Sequence, residues 1–85
     1  MGYHYVLLAE VAEFFCLLSR REREQCLKIF QSLADDPYQR GNFYTLDLLG
    51  RQIQHQTVPP WEISFWSNHA DKEVRVVGLR KIRRR

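Results

Sequence analysis

The sequence predicts an α+β fold: an N-terminal strand and a helical hairpin packed on a small twisted, mostly antiparallel β-sheet, in the order β-α-α-β-β-β-β. Three observations carry this. Two stretches in the first half repeat apolar residues at i, i+3, i+4 and i+7, the spacing of one helical face. An S-x-x-E capping signal separates them. From Asn42 onward the pattern changes to short β-rich runs punctuated by Gly and Pro. With 85 residues, the chain supports one domain with one thin core. That domain is placed over residues 1–82, with a basic tail at 83–85. A large two-lobed enzyme with a deep cofactor cleft is excluded at this length.

Tyr3–Leu8, rich in aromatic and branched residues, reads as the opening strand. Val11, Phe14, Phe15 and Leu18 then line one face of a helix over Glu10–Leu18. At Ser19 the hydroxyl can accept from the backbone N–H of Glu22 while the Glu22 carboxylate reaches back to the N–H of Ser19. One helix therefore ends and a second begins near Ser19. In the second, Cys26, Ile29, Phe30 and Leu33 repeat the same spacing, and Pro37 stops it. Phe43–Leu49 reads as a strand and Gly50 as a turn. Arg51–Val58 alternates, with Arg51, Ile53 and His55 on one face and Gln52, Gln54 and Gln56 on the other. Pro59 and Pro60 interrupt the ladder, since neither has an N–H to donate. Trp61, Ile63 and Phe65 share a core face, and Trp66 lies on the opposite one with Glu62 and Ser64. Ser67–Lys72 reads as a polar turn and Glu73–Leu79 as the last strand. Short spacing after Asn42 favours antiparallel pairing there.

The chain has 13 Lys+Arg against 10 Asp+Glu, a formal net charge of +3. Residues 1–74 hold 7 basic and 10 acidic residues, whereas Arg75, Arg80, Lys81, Arg83, Arg84 and Arg85 face no acid in residues 75–85. Cations gathered at one end attract polyanions, nucleic acid or an acidic protein segment. Arg75, Arg80 and Lys81 lie on or next to a strand, which fixes them better than the tail. No apolar run approaches the roughly 20 residues that span a bilayer, and no basic n-region or uninterrupted apolar h-region opens the chain. The expectation is a cytoplasmic protein without membrane association. Cys16 and Cys26, ten positions apart with no CxxC, read as free thiols, and neither a metal nor another cofactor is expected.

Several segments together resemble the RelE/ParE toxin superfamily of bacterial type II toxin–antitoxin systems. They are Tyr5–Leu8, Ala12–Phe15, Leu18–Arg21, Ile29–Pro37 with its terminal L-x-x-x-P, Trp61–Trp66 in the place of a "YRI-x-Y" strand, and Glu73–Arg80 in the place of the closing strand. The likeness runs from Tyr5 to Lys81 and is a pattern of hydrophobic positions. Glu62 stands where the family usually has Arg, and the chain ends without the family's terminal Tyr.

The resemblance implies a toxin neutralised by a cognate antitoxin protein. A RelE-like member would act on mRNA at the ribosome as a metal-independent endoribonuclease. A ParE-like member would instead inhibit DNA gyrase. A third possibility is a member that only binds an antitoxin or nucleic acid. RNA cleavage needs a base for the 2′-OH proton, a cation for the crowded phosphate and an acid for the leaving 5′-oxygen. Arg, with its bidentate fork, suits the phosphate and cannot be the base. His suits acid or base near neutral pH. The catalytic candidates are His55, Arg80 and Lys81; the RNA-binding candidates are Arg51, Arg75, Trp66 and Arg83. The Arg51–Val58 strand carrying Arg and His also reads, and more readily, as an edge strand whose charges discourage aggregation. His4 reads as structural and His69 as a turn residue.

Overall fold

The computed structural model describes residues 2–82. Its elements are β1 (His4–Leu7), α1 (Ala9–Cys16), α2 (Arg20–Asp35), β2 (Phe43–Leu46), β3 (Gln52–Val58), β4 (Trp61–Asn68) and β5 (Glu73–Lys81). One sheet holds all five strands in the order β1-β5-β4-β3-β2. β2 through β5 pair antiparallel, and β1 pairs parallel to β5, with Tyr5 opposite Val74 and Leu7 opposite Val76. Arg83, Arg84 and Arg85 lie outside the described residues.

The helix boundary at Ser19 forms as its side chains require. Ser19 Oγ accepts from the N–H of Glu22 at 3.2 Å, and Glu22 Oε1 accepts from the N–H of Ser19 at 3.1 Å. α1 is shorter than the sequence suggests, because Leu17 and Leu18 donate to the carbonyls of Phe14 and Phe15 in a tight last turn. Both helices pack on one sheet face, against β1 and β5. The core joins Val11 of α1 and Cys26, Phe30 and Leu33 of α2 to Trp61, Ile63 and Phe65 of β4 and Val74 and Val76 of β5. Trp61, at 1% exposure, gives its indole N–H to Gln25 Oε1 at 3.3 Å, which satisfies its one donor. Burial pushes the Cys26 thiol up to about 11, with the Glu22 charge adding to it.

Several strand limits differ from the sequence reading. β4 runs on through Trp66, Ser67 and Asn68, because these pair with Arg75, Val74 and Glu73; cross-strand pairing overrides the turn preference of Ser and Asn. β2 stops at Leu46. Asp47 Oδ1 accepts from the N–H groups of Leu49 and Arg51, each at 2.9 Å, and closes the hairpin. Gly50 there takes φ +77°, a left-handed conformation that suits glycine.

The registers contain one irregularity. Ser64 pairs with Gly78, but Phe65 pairs with Val76, so Val77 is an extra residue in β5. In a regular strand Arg75 and Arg80, five apart, would face opposite ways. The bulge brings both to the face that the helices leave open, where Arg75 pairs with Trp66 and Arg80 with Glu62. It also sends Lys81, opposite Trp61, to the helix-covered face.

Candidate functional site

The open face of the sheet is the surface on which the candidate residues collect. Alternation on β3, β4 and β5 sends Trp61, Ile63, Phe65, Val74 and Val76 into the core, so their neighbours in sequence point the other way. Arg51, just before β3, lays its guanidinium 4.5 Å from the Trp66 ring centroid, and Arg75 from β5 lies 5.7 Å from the same ring. A Trp flanked by two guanidinium groups is a cation–π arrangement. Arg51, Trp66 and Arg75 also line a pocket of about 400 Å³, closed on its β1 side by Val6 and Leu8. The three RNA-binding candidates among the described residues thus meet in one place.

His55 sits farther along the same face. Its Nδ1 is 2.9 Å from the Ser64 hydroxyl and its Nε2 is 2.8 Å from the Thr45 hydroxyl. Phe43 stacks on the ring at 4.7 Å, with 12° between the planes. A neutral imidazole here accepts from one hydroxyl and donates to the other; an imidazolium donates to both. Both ring nitrogens are therefore engaged, and a proton reaches or leaves His55 through a hydroxyl. Gly78, opposite Ser64, provides the space for this pair, since a Cβ at Gly78 would stand 3.1 Å from Ser64 Cβ and Oγ. Phe43, Thr45 and Ser64 were not among the sequence candidates. Their alternation with core-facing neighbours is the signal that places Ser64 on this face.

Arg80 occupies the next cross-strand row. Its Nε and Nη2 reach the two oxygens of Glu62 at 3.0 and 3.3 Å, a bidentate pair. Lys81 does not join His55 and Arg80. On the other face its Nζ lies 2.7 Å from Glu22 Oε2. That contact foremost, with the Ser19 N–H and then the Ser19 hydroxyl, lowers the Glu22 carboxyl to about 2. Arg83 lies outside the described residues.

Each cation of the face has an acid beside it. Arg51 Nε is 2.6 Å from Asp47 Oδ2, and Arg75 Nη2 is 3.1 Å from Glu73 Oε1. Glu73 is also 3.2 Å from His4 Nε2, so His4 belongs to the open face and is not packed within the core. The Arg51 backbone N–H foremost, and the Arg51 guanidinium and Leu49 N–H with it, lowers the Asp47 carboxyl below its usual range. The arginines Arg51, Arg75 and Arg80 and the acids Asp47, Glu73 and Glu62 cancel in formal charge. The face offers a stacking ring and three guanidinium groups, each restrained by a carboxylate that an incoming phosphate must displace. No group of three or more metal-ligating side chains occurs among the described residues, and no described helix is long and apolar enough to cross a membrane.

No family model matches the chain, and no curated protein matches it. Solved structures do. The archaeal RelE–RelB complex from Pyrococcus horikoshii OT3 contains a chain similar to this one at 16% identity and a TM-score of 0.74, with all of both chains covered. The toxin–antitoxin complex RelBE2 from Mycobacterium tuberculosis contains another, at 10% identity and a TM-score of 0.77, covering 95% of this chain and 99% of that one. The fold is the RelE toxin fold, two helices on a five-stranded, mostly antiparallel sheet.

Proposed function

We propose that this chain is the toxin of a type II toxin–antitoxin pair and that its open sheet face binds RNA. The observation that carries the reading is the convergence of Arg51, Trp66 and Arg75 on the bare face of a fold whose similar structures are toxin–antitoxin complexes. Aromatic rings accept any base by stacking, and arginines hold the backbone phosphates. The far sheet edge supports an antitoxin partner. All of β2 is exposed, and Leu46 and Leu49 are 63% and 77% accessible. An uncharged edge strand beside apolar side chains is a surface that proteins normally cover.

Transcript cleavage at the ribosome is a second reading, favoured by His55 and Arg80 standing in adjoining rows of that face. In it, Arg80 leaves Glu62 to clamp the phosphate, and His55 takes the 2′-OH proton through Ser64 or Thr45 and returns it to the 5′-oxygen as the P–O5′ bond breaks. Lys81 takes part only by leaving Glu22 and rounding the strand end.

Expression from a tight promoter tests both readings, with growth, transcript ends at ribosomes and gyrase-cleaved DNA followed together. Growth arrest that is relieved by Trp66→Ala supports RNA engagement. Cleaved transcripts that disappear in His55→Ala and Arg80→Ala support catalysis. Arrest with accumulated cleaved DNA and intact RNA assigns the chain to gyrase instead, and growth without arrest overturns the toxin reading.

A further inference from the structure

Beside the open-face pocket lies a second cleft of about 400 Å³ that shares Arg51 and Trp66 with it. Its other walls include Tyr38 and Arg40, from the segment joining α2 to β2, His69, from the turn after β4, and the amides of Gln52 and Gln54 on β3. Tyr38 and His69 are parallel, with ring centroids 4.6 Å apart and 12° between planes. His69 is held from behind by a 2.7 Å hydrogen bond between its Nδ1 and the Tyr3 hydroxyl. Tyr38 as a residue remains 72% exposed, so a further ring can stack beside it.

The wall is built in place and does not hang loose. Ser67 Oγ donates to the Pro37 carbonyl at 2.6 Å, and Gln39 Nε2 donates to the Ser32 and Asp36 carbonyls at the end of α2. The Gly41 N–H donates to Gln54 Oε1 at 2.9 Å, and Asn42 N–H to the His55 carbonyl at 2.8 Å. Gly41 runs so close to β3 that an added Cβ would overlap the His55 carbonyl. Preorganisation of this kind removes the ordering cost from binding. A volume of this size lies within the range of small-ligand pockets. The chemistry of the lining is planar rings beside guanidinium groups: Tyr38, His69 and Trp66 with Arg40 and Arg51. Arg40, unlike Arg51, has no ion-pair partner among the described residues.

We propose that this cleft is a nucleotide subsite, taking a base against Tyr38 and its phosphate on Arg40 and Arg51. The ligand is a nucleoside 5′-phosphate, either free or as one residue of an RNA strand whose neighbour lies over Trp66 and Arg75. The strand form rests on the RNA-binding reading of the open face; the free form does not.

Trp66 fluorescence reads the site directly, because the other indole, Trp61, is buried. AMP, adenosine, ribose 5-phosphate and a trinucleotide are titrated into the protein. AMP quenches Trp66, and adenosine and ribose 5-phosphate bind more weakly than AMP. Tyr38→Ala weakens AMP by about 5- to 150-fold, the loss of one base stack. Arg40→Ala weakens AMP and leaves adenosine unchanged. Both side chains are exposed, and a thermal melt confirms that each variant folds. Quenching by AMP with no gain for the trinucleotide assigns the free nucleotide as ligand; tighter trinucleotide binding assigns RNA. Arg75→Gln, outside this cleft, weakens the trinucleotide and spares AMP, which separates failure of the open-face reading from failure of the subsite. No response to AMP up to about 10 mM, equal response to ribose 5-phosphate, or binding of an acidic tyrosine-containing peptide in place of AMP overturns the proposal.

Discussion

Replacing Glu62 by Gln raises affinity for single-stranded RNA if the open face binds it, although Glu62 touches no ligand. In the structure Glu62 holds Arg80 through two hydrogen bonds, at 3.0 and 3.3 Å, and offsets its charge. Glutamine keeps the size and one acceptor but removes the charge. One uncompensated cation on the face adds about 0.7 to the slope of log affinity against log salt for a single strand. Between 1 M and 0.1 M salt that slope amounts to about a 5-fold gain for Glu62→Gln. Glu62→Arg adds two charges and about 25-fold. Fluorescence anisotropy of a labelled RNA over a KCl series gives both affinity and slope. Arg80 is largely exposed, so losing the pair costs at most about 1 kcal/mol of stability, which a melt verifies. An unchanged slope, or a gain that persists undiminished at 1 M KCl, would refute the argument that Glu62 restrains Arg80 electrostatically.

Acid titration of stability isolates the contact between Glu22 and Lys81. The folded carboxyl of Glu22 sits at about 2, below its ordinary value of about 4.3. Its contribution is complete above that ordinary value and disappears as pH falls toward 2. Urea midpoints of Glu22→Gln should therefore fall less steeply over that window, with Asp47, also lowered, supplying part of the remaining slope. Phe30 is fully buried, its ring against Tyr5 of β1 and Phe15 of α1, so Phe30→Ala should cost about 3–5 kcal/mol in chemical denaturation. Gly78→Val has no room opposite Ser64. It should cost about 1–3 kcal/mol and shift the His55 ring resonances in NMR, because the Ser64 hydroxyl is driven off Nδ1.

Local chemistry made much of the fold legible. The capping box at Ser19 involves only residues three apart, and it forms as written. Trp61, Ile63 and Phe65 alternate without interruption and are all buried. Trp66 and Arg51 were assigned to faces by the same alternation, and they meet on the open one. The features that local sequence does not encode depend on partners distant in the chain. The parallel pairing of β1 with β5 joins the two ends of the domain, and no local pattern encodes it. Val76 and Val77 are chemically alike, so nothing in the sequence marks the second as the extra residue that puts Arg80 on one face and Lys81 on the other. The second cleft is unmarked in the sequence for the same reason. Tyr38 and His69 are brought into contact by anchors on β3 and β4, and neither residue carries a motif.

The bulge at Val77 makes the local geometry of strand pairing, not side-chain type, the determinant of which cations the open face displays. Deleting that one valine would remove the bulge and leave Arg75 and Arg80 four apart, an even spacing that keeps both on one face of a regular strand. Straightening the ladder with the valine retained would instead turn Arg80 toward α2 and Lys81 outward, or withdraw Arg75 from Trp66. A lineage carrying this fold can thus lose the bulge and keep its row of arginines only if one residue is lost with it, with no charged residue altered.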